Sequence, residues 1–353
     1  MKTVFKNANI NGNITDITVI NGSIADIGKT CDDGIDLQGA KTYAGLIDIH
    51  VHGCLGYDYN DNRQDIMAKF LADNGITSYL ATTSTTSHET LLTLTHTPLP
   101  TEGANCIGYH LEGPYINEKR KGAQNPDTIQ KPDIEKYKQY NNVKMITVAP
   151  EVEGAMDFIK ECDSIVCLGH TDADYDTAVE ALKAGARCLT HTFNAMPPLN
   201  HRNPGVVGAA VTQNAYVQII SDGYHLHPAI VYMMYKIFGT DKMVLISDAI
   251  SPTGLPNGKY ISGELPIIVD GETGKLEDGT IAGSIATLFH CVKKAISFGV
   301  PETDAFKMAS ETPARLLGIS KGKLEAGYDA DFITVDDNYN LLTTVIGGKV
   351  WKN

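Results

Sequence analysis

No Cys-x-x-C pair occurs in the chain, and its cysteines are odd in number: Cys31, Cys54, Cys106, Cys162, Cys167, Cys188 and Cys291. Cys106, Cys167 and Cys188 sit inside apolar segments. Buried free thiols in a reducing cytoplasm fit this usage better than a disulfide scaffold. No apolar run is long enough to span a bilayer. The opening Met1-Lys2-Thr3-Val4-Phe5-Lys6 lacks the apolar stretch of a secretory signal. The expected location is therefore cytoplasmic, and the Asn13-Ile14-Thr15 sequon carries no weight. Positive charge is in deficit, with 29 Lys and Arg against 42 Asp and Glu and a net charge of −13. That excludes a nucleic-acid surface and an anionic membrane partner. It leaves room for a small phosphorylated substrate, which needs only a local cationic pocket. There is no Walker-type glycine loop, no cysteine-based triad, no internal repeat and no low-complexity tract.

What is present is 353 residues, 42% of them hydrophobic. That length allows two average domains, or one barrel-sized domain with a small companion. Val4–Ile10, Ile14–Ile20 and Ser23–Ile27 read as strands, joined by the hairpin turns Asn11-Gly12 and Asn21-Gly22. Residues 331–335, 341–346 and 349–351 read alike. The expectation is one small β-sandwich domain built from residues 1–44 and 322–353, with 45–321 inserted as a catalytic domain.

The middle alternates strand and helix. Strands are expected at 46–51, 76–82, 106–111, 143–148, 164–169, 187–190, 216–221 and 243–247. Helix-like stretches between them are Gln64–Asp73, His88–His96, Asp133–Tyr140, Ala155–Glu161, Ala173–Ala184 and His227–Phe238. Eight strands in such alternation predict an α/β fold, a parallel (β/α)8 barrel of the TIM type. Residues 192–215 read as polar loop. Gly258–Gly283 reads as a glycine-rich β excursion, followed by helices at Ser284–Phe298 and Thr303–Leu317.

In such a barrel the chemistry sits at the C-terminal ends of the strands. The first strand ends in His50-Val51-His52, the third in His110-Leu111-Glu112-Gly113-Pro114, the fifth in Gly169-His170, the sixth in His191 and the eighth in Ser247-Asp248-Ala249. A lone histidine there usually makes a hydrogen bond. Four imidazoles and two carboxylates at equivalent positions point instead to a metal. The candidate ligands are His50, His52, Glu112, His170, His191 and Asp248. Such ligands suit zinc, iron(II), manganese or cobalt rather than calcium. A metal-activated water with Asp248 as general base makes this a hydrolase site.

These residues resemble the amidohydrolase superfamily and, within it, the N-acetylglucosamine-6-phosphate deacetylases. His110-Leu111-Glu112-Gly113-Pro114-Tyr115 is the most specific match. Gly169-His170-Thr171, His191–Met196, Ser221–His225, Ser247-Asp248-Ala249 and Ile281–Ser284 are similar in order and spacing. The resemblance implies removal of an acetyl group from a phosphorylated amino sugar. It implies that Glu112, His170 and His191 hold the main metal, most simply zinc. His50 and His52 would hold a second ion, sharing Glu112 or Asp248, so one or two ions per subunit are expected. It further implies a phosphate pocket of Asn194, Ala195, Arg202 and His225, with Arg202 and His225 shared across a homodimer, and sugar contacts from Ala282, Gly283 and Ser284. Where the family reads Lys-Gly-Ala-His, this chain reads Lys121-Gly122-Ala123-Gln124, so Gln124 takes the place of a sugar-binding histidine. The competing readings are a cyclic amide hydrolase of the dihydroorotase or hydantoinase type, a deacetylase for another amino sugar phosphate, and a non-catalytic barrel.

Overall fold

The computed structural model describes residues 1–352. Eight parallel strands form the barrel sheet: Leu46–Val51, Ile76–Thr83, Asn105–Glu112, Val143–Val148, Ile165–Leu168, Cys188–Leu189, Tyr216–Ile220 and Met243–Ile246. They pair in chain order. The first and eighth meet near the mouth, where the N–H of Asp248 donates to the carbonyl of His50 at 2.9 Å and that of His52 to Ala249 at 2.7 Å. Ile47, Ile49, Leu80, Met145, Cys167, Cys188, Ile220, Val244 and Ile246 fill the barrel interior. Each such side chain contributes roughly 1.5–3 kcal/mol by leaving water.

Helices α1 (Gln64–Asp73), α2 (His88–His96), α3 (Ile134–Tyr137), α4 (Ala155–Glu161), α5 (Tyr175–Ala184), α6 (Gly205–Thr212) and α7 (Pro228–Lys242) cover the outside, with α8 (Leu288–Ser297), α9 (Glu302–Met308) and α10 (Glu311–Leu317). Their starts follow local chemistry. Asp174 caps α5 by accepting from the N–H of Thr177, and Thr287 caps α8 by accepting from His290.

Three expectations are corrected. The 192–215 link contains a helix, α6. Its sequence, GVVGAAVT, has no polar face to reveal it, because Gly205–Ala210 are all buried. Gly208 leaves room for the ring of Pro204, the residue that caps the helix: a Cβ on Gly208 would lie 2.4 Å from it. The Asp133–Tyr140 helix shrinks to the single turn α3. The Thr303–Leu317 helix breaks in two at Ala309-Ser310, where Ser310 leaves helical geometry.

The chain ends form a second sheet. Lys2–Ile10, Asn13–Ile20, Ser23–Ile27, Ile35–Asp36 and Lys41–Ala44 join Phe332–Val335, Leu341–Ile346 and Lys349–Lys352. Asn11 and Gly12, and Asn21 and Gly22, all take positive φ, as type I′ hairpin turns require. Phe5, Ile17, Ile24, Phe332 and Val345 form its core. The Tyr43 ring stacks on Phe306 of α9, and Trp351 Nε1 donates to Asp73 of α1 at 2.9 Å, fixing this sheet to the barrel. All seven cysteines are free. Among the described residues no helix is long and apolar enough to cross a membrane.

Candidate active site

Two histidines face the mouth from the first strand because that strand bulges. Its register with the second strand shifts between Asp48, opposite Tyr79, and Val51, opposite Ala81. The extra residue lets Ile49 and His50 both turn inward. Ile49 packs in the barrel interior, Val51 in the outer layer, and His50 and His52 reach the mouth.

Glu112 is the hub. Its Oε1 lies 3.1 Å from His50 Nε2, 3.3 Å from His170 Nε2 and 2.9 Å from His191 Nε2. Its Oε2 lies 3.3 Å from His52 Nε2. Asp248 Oδ1 is 3.3 Å from both His50 and His52. All six side chains are buried. His170, His191 and Asp248 take left-handed backbone with φ of 48°, 26° and 52°. Non-glycine residues avoid that region, and strain of this kind gathers at functional sites.

The donor set fits a cation. His50 Nε2 faces His52 Nε2 at 3.2 Å, and His170 Nε2 faces His191 Nε2 at 3.0 Å. Two facing imidazole nitrogens share at most one proton. Ligand atoms on a tetrahedral zinc ion, with bonds of about 2.0–2.2 Å, lie roughly 3.4 Å apart. Glu112 Oε1 is buried without a hydrogen-bond donor. Two ligand groups result, His50–His52–Glu112 and Glu112–His170–His191, joined at Glu112.

The electrostatics agree. Burial raises the Asp248 carboxyl, but the surrounding imidazoles of His50, His52 and His191 outweigh it and hold it at about 2. Burial opposes charge on His52, yet Glu112 and Asp248 lift it to about 10. The carboxylates thus demand positive charge between them.

A cavity of about 450 Å³ opens over this cluster, a size suited to a small-molecule ligand. Of the residues expected to contact the substrate, Gln124, Asn194, Ala195, His225, Ala282 and Gly283 line it. Two expected contacts do not. Ser284 is buried, its hydroxyl accepting from the N–H of Ala286. Arg202 is exposed on a loop outside the cavity wall. His225 Nδ1 donates to Asp222 Oδ2 at 2.7 Å. Burial works against charge on His225, but Asp222 raises its pKa above the usual value.

His110, next but one to Glu112, is not part of the cluster. It bonds Thr147 Oγ1 at 2.8 Å and the Ile49 carbonyl at 3.2 Å, inside the barrel. Lys144 lies exposed at the far end of the fourth strand, so no lysine is placed to bridge the ligands there. That removes the main support for the cyclic amide reading.

Sequence reasoning missed several contributors. Lys119 and Arg120 line the cavity, and no periodicity marks them out. Asp58 accepts from Ser262 Oγ at 2.8 Å and the N–H of Gly263 at 2.7 Å. It thereby fastens the antiparallel sheet Gly258–Ser284 over the mouth. Glu151 accepts from Asn117 Nδ2 at 2.8 Å, Thr171 Oγ1 and the N–H of Asp172, each at 2.5 Å. It clamps the loop that carries His170.

A model of the amidohydrolase family matches residues 42–351, which include every ligand just described. The chain belongs to the amidohydrolase family. Among curated relatives, this amidohydrolase is 36% identical over 329 residues to the N-acetylglucosamine-6-phosphate deacetylase of Bacillus subtilis (strain 168), covering 87% of this chain and 83% of the relative. Among solved structures it superposes on the N-acetylglucosamine-6-phosphate deacetylase of Pasteurella multocida with a TM-score of 0.93, at 28% identity and with both chains fully covered. A mutant of the Mycobacterium smegmatis deacetylase, in complex with N-acetyl-D-glucosamine-6-phosphate, gives a TM-score of 0.91 at 28% identity, again over the whole of both chains.

Proposed function

We propose that this amidohydrolase removes the acetyl group from N-acetylglucosamine 6-phosphate, giving glucosamine 6-phosphate and acetate. The observation that carries the reading is the convergence of four imidazoles and Glu112 with the ionised Asp248 beneath one cavity. The shared name of relatives that match nearly the whole chain supplies the substrate.

Glu112, His170 and His191 would hold one divalent ion, and His50, His52 and Glu112 a second. Zinc suits this donor set, with iron(II), manganese and cobalt as alternatives. When bound, such an ion polarises the acetamide carbonyl and lowers the pKa of water toward about 7.

The chain's own residues do the rest. Asp248, held at about 2 and therefore ionised, accepts a proton from the attacking water. It gives that proton to the amine nitrogen as the C–N bond breaks. Asn194, the Ala195 backbone and His225 receive the phosphate, with the positive charge of Lys119 also lining the cavity. Gln124, Ala282 and Gly283 contact the sugar. Arg202, outside its own cavity, would reach the phosphate of a neighbouring subunit in a homodimer. We place the enzyme in the cytoplasm, where its free thiols stay reduced.

The test is acetate release from N-acetylglucosamine 6-phosphate beside the unphosphorylated sugar, before and after chelation. Chelator-sensitive release from the phosphorylated sugar alone supports both the metal cluster and the phosphate pocket. Release indifferent to the phosphate sinks the pocket. No release from metal-containing protein sinks the reaction.

A further inference from the structure

Gln218 lies wholly inside the barrel, at the centre of the seventh strand. That strand supplies no ligand. Its inward neighbours Tyr216 and Ile220 pack among the apolar interior side chains. A primary amide in such a place is costly unless its polar atoms are satisfied.

Its contacts are specific. Oε1 lies 2.9 Å from His50 Nδ1 and 3.3 Å from the backbone nitrogen of His191. Nε2 faces Met145 Sδ at 3.4 Å. The backbone carbonyl of Gln218 also accepts from Thr192 N at 2.9 Å. The N–H of His191 can only donate, so it fixes which end of the amide is oxygen. That oxygen can only accept, so His50 Nδ1 must carry the proton. The Nε2 lone pair of His50 is then the one that faces Glu112, Asp248 and His52. On its other side, Gln218 grips the chain at His191 and Thr192, where His191 takes the unusual φ of 26°.

We infer that Gln218 is the positioning residue of the metal centre. It sets the tautomer of a ligand in one group and the backbone of a ligand in the other. The inference rests on the metal-dependent reading above. Supporting groups behind metal-bound histidines are typically worth about 10- to 100-fold in metal affinity or activity.

The test measures bound metal per chain and its release to a graded chelator, with the cobalt(II) absorption spectrum as a report on coordination. The proteins are the full chain and the variants Gln218→Leu, Gln218→Met and Gln218→Glu. Folding is checked by thermal unfolding. The apolar variants are expected to fold and to hold metal about 10- to 100-fold more weakly, with an altered cobalt spectrum. Gln218→Glu keeps an acceptor for both donors and should restore binding to within a few fold of the parent. A folded apolar variant that holds metal as tightly as the parent overturns the inference. So does a glutamate variant that loses as much metal as an apolar one, and this arm decides alone if neither apolar variant folds. A parent chain that takes up no metal overturns the metal-dependent reading and Gln218's role together.

Discussion

Gln124 donates a side-chain hydrogen bond to Oε2 of Glu112, the carboxylate shared by both ligand groups. Its own Oε1 accepts from the backbone N–H of Thr85 at 2.8 Å and the Thr85 hydroxyl at 3.2 Å. The amide is thus locked in one orientation, with a donor aimed at the hub. Glutamine has two N–H groups. One can hold Glu112 while the other addresses a sugar hydroxyl.

Gln124→Leu should therefore act on two quantities. It orphans the buried N–H of Thr85, a loss of about 1–3 kcal/mol readable by chemical denaturation. It also frees Glu112, so metal content after dialysis should fall. A variant with parental stability and parental metal would show that Gln124 serves the sugar alone.

Asp248→Asn is expected to keep the metal, because four imidazoles and Glu112 remain. It should lose about 10²- to 10⁴-fold in turnover, the usual contribution of a general acid–base group. Metal analysis and initial-rate assays on the same preparation separate the two effects. Turnover at the parental level would refute the proton-transfer role.

The ligands were legible because each closes an apolar strand, and strand ends of a β/α barrel share one mouth. His50 and His52 were legible from their spacing, although the bulge that turns Ile49 and His50 inward together was not. Gln218 was invisible. One polar residue in an apolar strand is ambiguous until its neighbours across the barrel are known. Asp58, Glu151, Lys119 and Arg120 act from the short segments that connect the barrel strands, whose course depends on what they pack against. Helix α6 escaped because Gly205–Ala210 are all buried and leave it no polar stripe. Arg202 matched a family pattern, yet the fold of one chain leaves it outside the cavity. The partner that would bring it back is not encoded in any local pattern.

The small sheet is tied to the barrel by Glu302, which accepts from the hydroxyls of Tyr43 and Tyr339, the latter at 2.7 Å, and lies 3.2 Å from Lys41 Nζ. Glu302→Ala removes the acceptor for both tyrosines and the partner of Lys41. A loss of about 1–3 kcal/mol is expected in equilibrium unfolding. The acetate-release rate at room temperature should hold, because Glu302 touches nothing at the mouth. Parental stability in that variant would show that the Tyr43–Phe306 stacking, the Trp351–Asp73 hydrogen bond and apolar contact hold the small sheet without Glu302.

His225 gives the site a pH dependence whose sign follows from its surroundings. Burial lowers its pKa, but Asp222, at 2.7 Å, and the more distant Asp248 raise it above 6.5. A raised histidine contributes stability that is complete below about 6.5 and is lost as pH climbs through the folded value. Binding should follow the same course. A sugar phosphate becomes a dianion above about pH 6, so the phosphate and His225 are both fully charged only between that point and the raised pKa. KM for the phosphorylated sugar should be lowest in this window and rise on the alkaline side. His225→Gln should raise KM at neutral pH and abolish its alkaline rise. A KM profile with the same alkaline rise in parent and variant would remove His225 from the phosphate pocket.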